Sequence, residues 1–381
     1  MVENSSETTS RASTSSRLIP IDALRGLIII LMTLDHANYF IAQRHPPGEL
    51  WGGLYPSYDS AIAFLTRFIT HLSAPGFFFL MGAGMILFSS RRLTSSWSWN
   101  KIRRHLVLRG LILIMLQFVV VNPIWKISPI PFPDWYQGVL VALGGTMILA
   151  TLLLRLKARG LFMITAVVSV IIEITHPDPR LWGAFNDTPL GLIFGFSGGT
   201  QAFWVNYPIL AWFEFVTFGM AFGHWFRDKP ESAYRRASII GFCLLIAFVP
   251  IRAINGFGNI RPMEGTTWID FMNLVKYPPS WTFSFITVGL DLMMLSGLHF
   301  GRQRLSRFIN VLSTYGRVPL FLYITHLLLF ALSGRIFTPL GSTFFVMYIF
   351  WFVGIALLYY PAKWYAHQKK SPRARILLQY L

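Results

Sequence analysis

Apolar runs close to the roughly 20 residues needed to cross a bilayer recur along the whole chain, separated by short polar or basic segments. Ten are read, near residues 24–42, 60–88, 105–122, 137–154, 160–176, 204–225, 237–254, 280–300, 318–334 and 343–361. The pattern predicts an all-α integral membrane protein, a polytopic bundle of about ten transmembrane helices. The second run is too long for one straight span, and Pro75-Gly76 is its expected break or kink. Residues 1–17, rich in Ser and Thr and without a cleavage motif, read as a disordered cytoplasmic tail. The transmembrane domain is expected over 18–365, and a basic cytoplasmic tail over 366–381.

The polar positions that interrupt these runs carry the information about chemistry. In the first run, LIPIDALRGLIIILMTLDHANYF (18–40), Asp35, His36 and Asn38 arrive where the helix should still be in hydrocarbon. His36 lies about 16 Å along the helix from Arg25, close to mid-bilayer. An ionisable pair at that depth costs several kcal/mol unless it is paired or faces a cavity. Arg67, His71, Glu173, Glu214, Asp291 and His326 also fall within apolar runs. His326 and Asp291 approach the midplane, Glu214 is central, His71 belongs to the outer half, and Glu173 is expected near the outer surface. A purely structural account would have these groups pair and lock the bundle, as Arg67 would with a carboxylate.

Histidine suits general acid/base work because its proton equilibrium lies near neutral pH. Asp35 is about 100° around the helix from His36, so the two do not share a face. An orienting partner for His36 should therefore come from another helix, and Asp291 is a candidate. No metal is expected, since neither HExxH nor paired i, i+4 histidines occur. Cys243 is the single cysteine, which excludes an intrachain disulfide.

Composition sharpens the class. Charged residues make up 13% of the chain, against about 25% in soluble domains. Mean hydropathy is +0.52. The net charge of +17 suggests nucleic acid until its distribution is read. With the N-terminus inside, 25 of the 33 Lys and Arg fall on the cytoplasmic side, at every loop in turn. Both termini are then cytoplasmic, the location is the cell inner (plasma) membrane, and no nucleic acid is needed. Arg25, Arg109 and Arg317 stand at inner helix ends, within reach of phosphates. The outer loops 43–58, 122–136 and 177–203 are rich in Pro, Gly and Trp. Their Trp51, Trp125, Trp135 and Trp182 suit either headgroup anchoring or stacking on a sugar.

Five ordered motifs carry a family resemblance: RLIPIDALRGLIIILMTLDH (17–36), SAPGFFFLMGAGM (73–85), YPILAWFEFVTFGMAFG (207–223), KYPPSWTFSFITVG (276–289) and YGRVPLFLYITHLLL (315–329). Together they resemble the catalytic domain of heparan-alpha-glucosaminide N-acetyltransferase and its short bacterial relatives, over roughly residues 17–335. The resemblance implies a transmembrane acyltransferase that takes acetyl-CoA, or another acyl-CoA, from the cytoplasm. It also implies an acceptor on the opposite face.

In that resemblance His36 falls where the lysosomal enzyme has a functional Asn, and His71 where it has an Asp. His326 matches a His in a Tyr-x-x-His pattern that begins here at Tyr323. His45 is the nearest match to the proposed active-site His, in a loop of different length. Other transmembrane acyltransferases that modify bacterial surface sugars use a His near the end of the first helix, which favours His36. Glu214 departs from the family, where a neutral residue is expected.

The leading reading is an acyltransferase in which His36 acts as general base or transient acyl carrier, with Asp35, His71, His326 and His45 as further catalytic candidates. Asn38, Asp291, Lys276, Tyr323, Arg25 and Arg317 are the candidate substrate-binding residues. Expected partners are acyl-CoA, a sugar-like or lipid-linked acceptor and membrane lipids, with a homodimer left open. The rivals are a proton-coupled transporter using the buried Asp and His as a relay, and a scaffold whose polar seam is structural.

Overall fold

The computed structural model describes residues 18–46, 49–51, 55–176, 188–369 and 371. The tail expected over 1–17, most of the one expected over 366–381, and Trp182 lie outside them.

Helix α1 (Ile19–Ala37) runs on through a wide π-helical turn, Asn38–Ala42. Then come α2 (Ala61–Thr70), α3 (Ser73–Thr94) and α4 (Trp99–Leu116), the last extended by a π turn at Gln117–Val121 into α5 (Asn122–Trp125). Strand β1 (Trp135–Gln137) precedes α6 (Val139–Ala150), α7 (Ala158–Thr175) and α8 (Pro189–Phe194). Strands β2 (Gly198–Gly199) and β3 (Phe203–Val205) lead to α9 (Phe213–Asp228), α10 (Pro230–Ile254) and α11 (Trp268–Met272). The chain closes with α12 (Trp281–Phe300), α13 (Ser306–Gly316), α14 (Pro319–Phe337) and α15 (Phe344–Gln368). The strands form one small sheet in the order β1-β3-β2, with β1 parallel and β2 antiparallel to β3.

Among the described residues, seven helical stretches are long and apolar enough to cross a membrane, judged by length and composition. Three of the ten expected spans fall short of that. Helix α1 carries Asp22, Arg25 and Asp35, while α6 and α9 have only 12 and 16 residues. Helix α9 starts later than expected because residues 203–205 join the sheet instead.

The break in the second run also moves. It lies at His71-Leu72, between α2 and α3, and Pro75 sits in the first turn of α3. Proline has no N–H and its ring crowds the carbonyl four residues earlier, here His71, so the helix parts upstream of the proline.

Helix α1 is the hub. It packs against α2, α3, α12, α13, α14 and α15, and 13 of its 19 residues are buried. Its crossing with α13 is close because Gly26 and Gly316 leave no side chain between the backbones. A Cβ on Gly110 would meet the Gly144 carbonyl of α6 at 2.7 Å, so α4 and α6 approach in the same way. The peripheral helices are the reverse of α1. Met163, Val167 and Ile171 on α7, Phe242 and Ile246 on α10, and Phe345 and Phe352 on α15 are exposed. Apolar belts of that extent fit lipid rather than water. The molecule is an all-α integral membrane protein.

Candidate active site

Helix α1 turns its two adjacent ionisable residues toward different neighbours. His36 faces α14, where its Nδ1 lies 2.6 Å from Nε2 of His326, with the ring planes 15° apart. Nδ1 of His326 lies 2.6 Å from the Leu322 carbonyl oxygen. A carbonyl only accepts, so His326 Nδ1 carries a proton and its Nε2 is left as an acceptor. His36 Nδ1 must then donate to it, which leaves the lone pair of neutral His36 on Nε2. Trp125 meets the His36 ring edge-on at 5.4 Å, and Tyr323 at 6.1 Å. The orienting partner of His36 is thus His326 and not Asp291.

Asp35 faces α2. It accepts from Arg67 Nη1 at 2.5 Å and Thr70 Oγ1 at 2.9 Å, and His45 Nε2 lies 3.5 Å away. Arg67, 1% exposed, grips Glu49 with both Nε (2.7 Å) and Nη2. His71 Nε2 also meets Glu49, at 2.8 Å. The Glu49 carbonyl accepts the backbone N–H groups of Lys276 and Tyr277, each at 3.0 Å, so segment 49–51 is laid against 276–277. Burial would raise the Glu49 carboxyl, but Arg67 and His71 hold it well below the usual carboxylate range. Burial, reinforced by Arg67, pushes the Lys276 ammonium down to about 8.

A cavity of about 390 Å³ runs beside α1. One end is basic, with Arg25, Arg109, Arg317 and Lys369. Apolar side chains such as Phe77, Leu80, Leu113 and Leu143 form the middle. The other end holds Asp35, His36, Thr70, Tyr207, Lys276 and Tyr323. Arg25 and His36 are eleven residues apart on α1, which separates the ends by about 16 Å. Nε1 of Trp51 is turned inward to the Ser197 carbonyl, at 2.8 Å.

Seven of the residues singled out in the sequence therefore share this cavity: Asp35, His36, Lys276, Tyr323, Arg25, Arg109 and Arg317. His326, His71 and His45 stand behind its wall, each tied to a neighbour. Asn38 is buried and its Oδ1 has no partner among the described residues, but it does not line the cavity. Asp291 lies outside the cavity against Gly76 of α3, with both carboxyl oxygens likewise unpartnered. Glu173 is completely buried and accepts the backbone N–H groups of Gly258, Ile260 and Trp281. Glu214 accepts from Ser284 Oγ at 2.7 Å. Among the described residues no group of three or more His, Cys, Asp and Glu is placed to hold a metal ion.

Glu49, Thr70 and Tyr207 escaped the sequence reading. The available signal for Glu49 was Arg67 itself, because an arginine inside an apolar run requires a carboxylate.

The fold and the cavity define a multi-pass helical membrane protein with an ionisable centre reached from a basic mouth. The family model for heparan-alpha-glucosaminide N-acetyltransferase, catalytic, matches residues 17–249, and the chain belongs to that family. The heparan-alpha-glucosaminide N-acetyltransferase of Mus musculus is 29% identical over 144 residues, which cover 38% of this chain and 20% of that protein. The match thus spans about a fifth of the curated relative's length. Lys276, Arg317, Tyr323 and His326 come from chain beyond the matched residues.

Proposed function

We propose that the protein moves an acetyl or other acyl group from cytoplasmic acyl-CoA to a hydroxyl or amine of a sugar-like or lipid-linked acceptor near the outer face. The observation that carries this reading is the single cavity joining four cations to the free Nε2 of His36. The CoA phosphates would meet Arg25, Arg109, Arg317 and Lys369, the apolar middle would take the pantetheine arm, and the thioester would reach His36. His36 Nε2 takes the acceptor's proton as the nucleophile attacks the thioester carbonyl. His326 is a positioning residue: it fixes the tautomer and accepts from the imidazolium as charge develops. An acyl group carried on Nε2 is the two-step version of the same geometry. Both termini and the basic mouth are cytoplasmic in this reading, and the membrane is the cell inner membrane.

The test is CoA release from acetyl-CoA by purified protein, with a panel of amino and hydroxyl sugars as acceptors. His36→Ala should lower turnover by about 10²–10⁴ while the protein stays folded and still binds acetyl-CoA. If His36→Ala retains turnover while His45→Ala loses it, the base is the loop histidine. Failure of the wild type to release CoA with any acceptor or water removes the acyltransferase reading and favours a relay for protons.

A further inference from the structure

Two carboxylates, Asp35 and Glu49, and two cations, Arg67 and Lys276, cluster at the polar end of the cavity, all buried or nearly so; Asp35 and Lys276 line it, and Glu49 and Arg67 do not. Their pairing is unequal. Arg67 engages both carboxylates, while Thr70 and His45 converge on the same Asp35 Oδ1 that it holds and His71 on the same Glu49 Oε1. Lys276 is 3% exposed, and its Nζ makes no hydrogen bond to any described residue. Its position is set by the backbone, since the N–H groups of Lys276 and Tyr277 both donate to the Glu49 carbonyl. A buried ammonium without an acceptor is costly, and this one lines the same cavity as His36.

We propose that Lys276 is a catalytic residue of the acyl transfer, donating to the thioester carbonyl oxygen as negative charge develops on it. The inference rests on the acyltransferase reading above. As the acceptor's N–C or O–C bond forms, its proton passes to His36 Nε2 and the carbonyl π pair moves onto oxygen beside Lys276. When the carbonyl re-forms, the C–S bond breaks and the CoA sulfur leaves with that electron pair, taking the proton from His36. No oxidant or reductant is required. A permanent anion on the acceptor is a poorer occupant, because the four charges here sum to zero and exert little long-range attraction. A donor set in place before the charge forms gains most in the transition state.

The alkaline side of the rate profile gives a handle on this. The charged and titratable groups around Lys276 are Asp35 and His36 from α1, Glu49, Arg67 and His71 from the α2 side, and Tyr277 beside it. With its ammonium pushed down to about 8, Lys276 loses the proton it donates as pH rises through that value.

The experiment uses the full chain in detergent micelles, with acetyl-CoA and glucosamine as probes. Lys276→Met should lower kcat by about 10²–10³ with KM for both probes near wild type. Lys276→Arg, charged at every working pH, should recover part of kcat and lose the alkaline fall near pH 8. Lys276→Gln replaces the methionine variant if that does not fold. Wild-type kcat in the uncharged variants, a rise confined to the KM for glucosamine, or an alkaline fall that persists in Lys276→Arg would each overturn the assignment. Absence of CoA release from the wild type would instead remove the acyltransferase reading beneath it.

Discussion

The two ends of the cavity handle charge in opposite ways. At the polar end Arg67, Asp35, Glu49 and His71 form a closed network in which Asp35 Oδ1 and both Glu49 oxygens meet a guanidinium, a hydroxyl or an imidazole. At the basic end Arg25 bonds Asp22 and the Gly316 carbonyl, but Arg109 and Arg317 meet no carboxylate among the described residues. Nε of Arg317 is buried without a partner. A closed network is a scaffold, because removing one member strands the others in low dielectric. A cluster of cations short of counter-charge suits an anionic ligand, which would supply the charge it lacks. One helix, α1, supplies both ends, with Arg25 in one and Asp35 and His36 in the other.

Breaking the closed network should have the largest effect on stability. Glu49→Gln leaves His71 without its carboxylate and Arg67 with Asp35 alone, and should cost about 3–5 kcal/mol, read as a lowered thermal midpoint in micelles. The same residue sets an acid limb. Its carboxyl is held low in the folded state, so its contribution is complete above the unfolded value of about 4.3 and is lost as pH falls through the folded one. Wild type should therefore lose stability below that range more steeply than Glu49→Gln, and parallel acid curves would show that the network is not what holds segment 49–51.

A middle-sized effect belongs to the basic end and should fall on ligand affinity more than on stability. Arg317→Ala and Arg25→Ala each remove a charge-assisted bond worth about 1.5–3 kcal/mol, or very roughly ten- to hundredfold in acetyl-CoA affinity. Unchanged affinity in both variants, by calorimetry, would erase the contrast between the two ends. The smallest effect is expected at the sheet. Trp135 is 61% exposed, and Trp135→Ala should shift stability by no more than about 0.5 kcal/mol. Trp125, whose ring lies edge-on to His36, should instead lower turnover when replaced by alanine. Equal behaviour of the two would return both tryptophans to a common role at the headgroups.

How much of this was readable beforehand differs between fold and site. Long apolar runs announce helices because every backbone polar group in hydrocarbon must be satisfied within its own segment. That is why all ten expected runs correspond to helices. Their ends were less legible. Residues 203–212 are as apolar as a span, yet the pairing of Phe203–Val205 with β1 removes part of them from α9. Charged residues in apolar runs pointed to Asp35, His36, Arg67 and His326 because such burial is rarely tolerated without a partner. Glu49 gave no such warning, since a single acid in a polar loop reads as solvated.

The sequence by itself determined the class of molecule, which runs hold helices and most of the ionisable residues at the centre, because the cost of burying backbone and charge acts locally along the chain. The pairings were decided by tertiary structure alone. His36 meets His326 across 290 residues, and Lys276 is placed by the backbone of Glu49. Which nitrogen of His36 is free depends on a carbonyl on another helix, and which cation lacks a partner depends on how Arg67 divides itself between two carboxylates. Those are properties of distance and direction between helices, which hydrophobic periodicity does not encode.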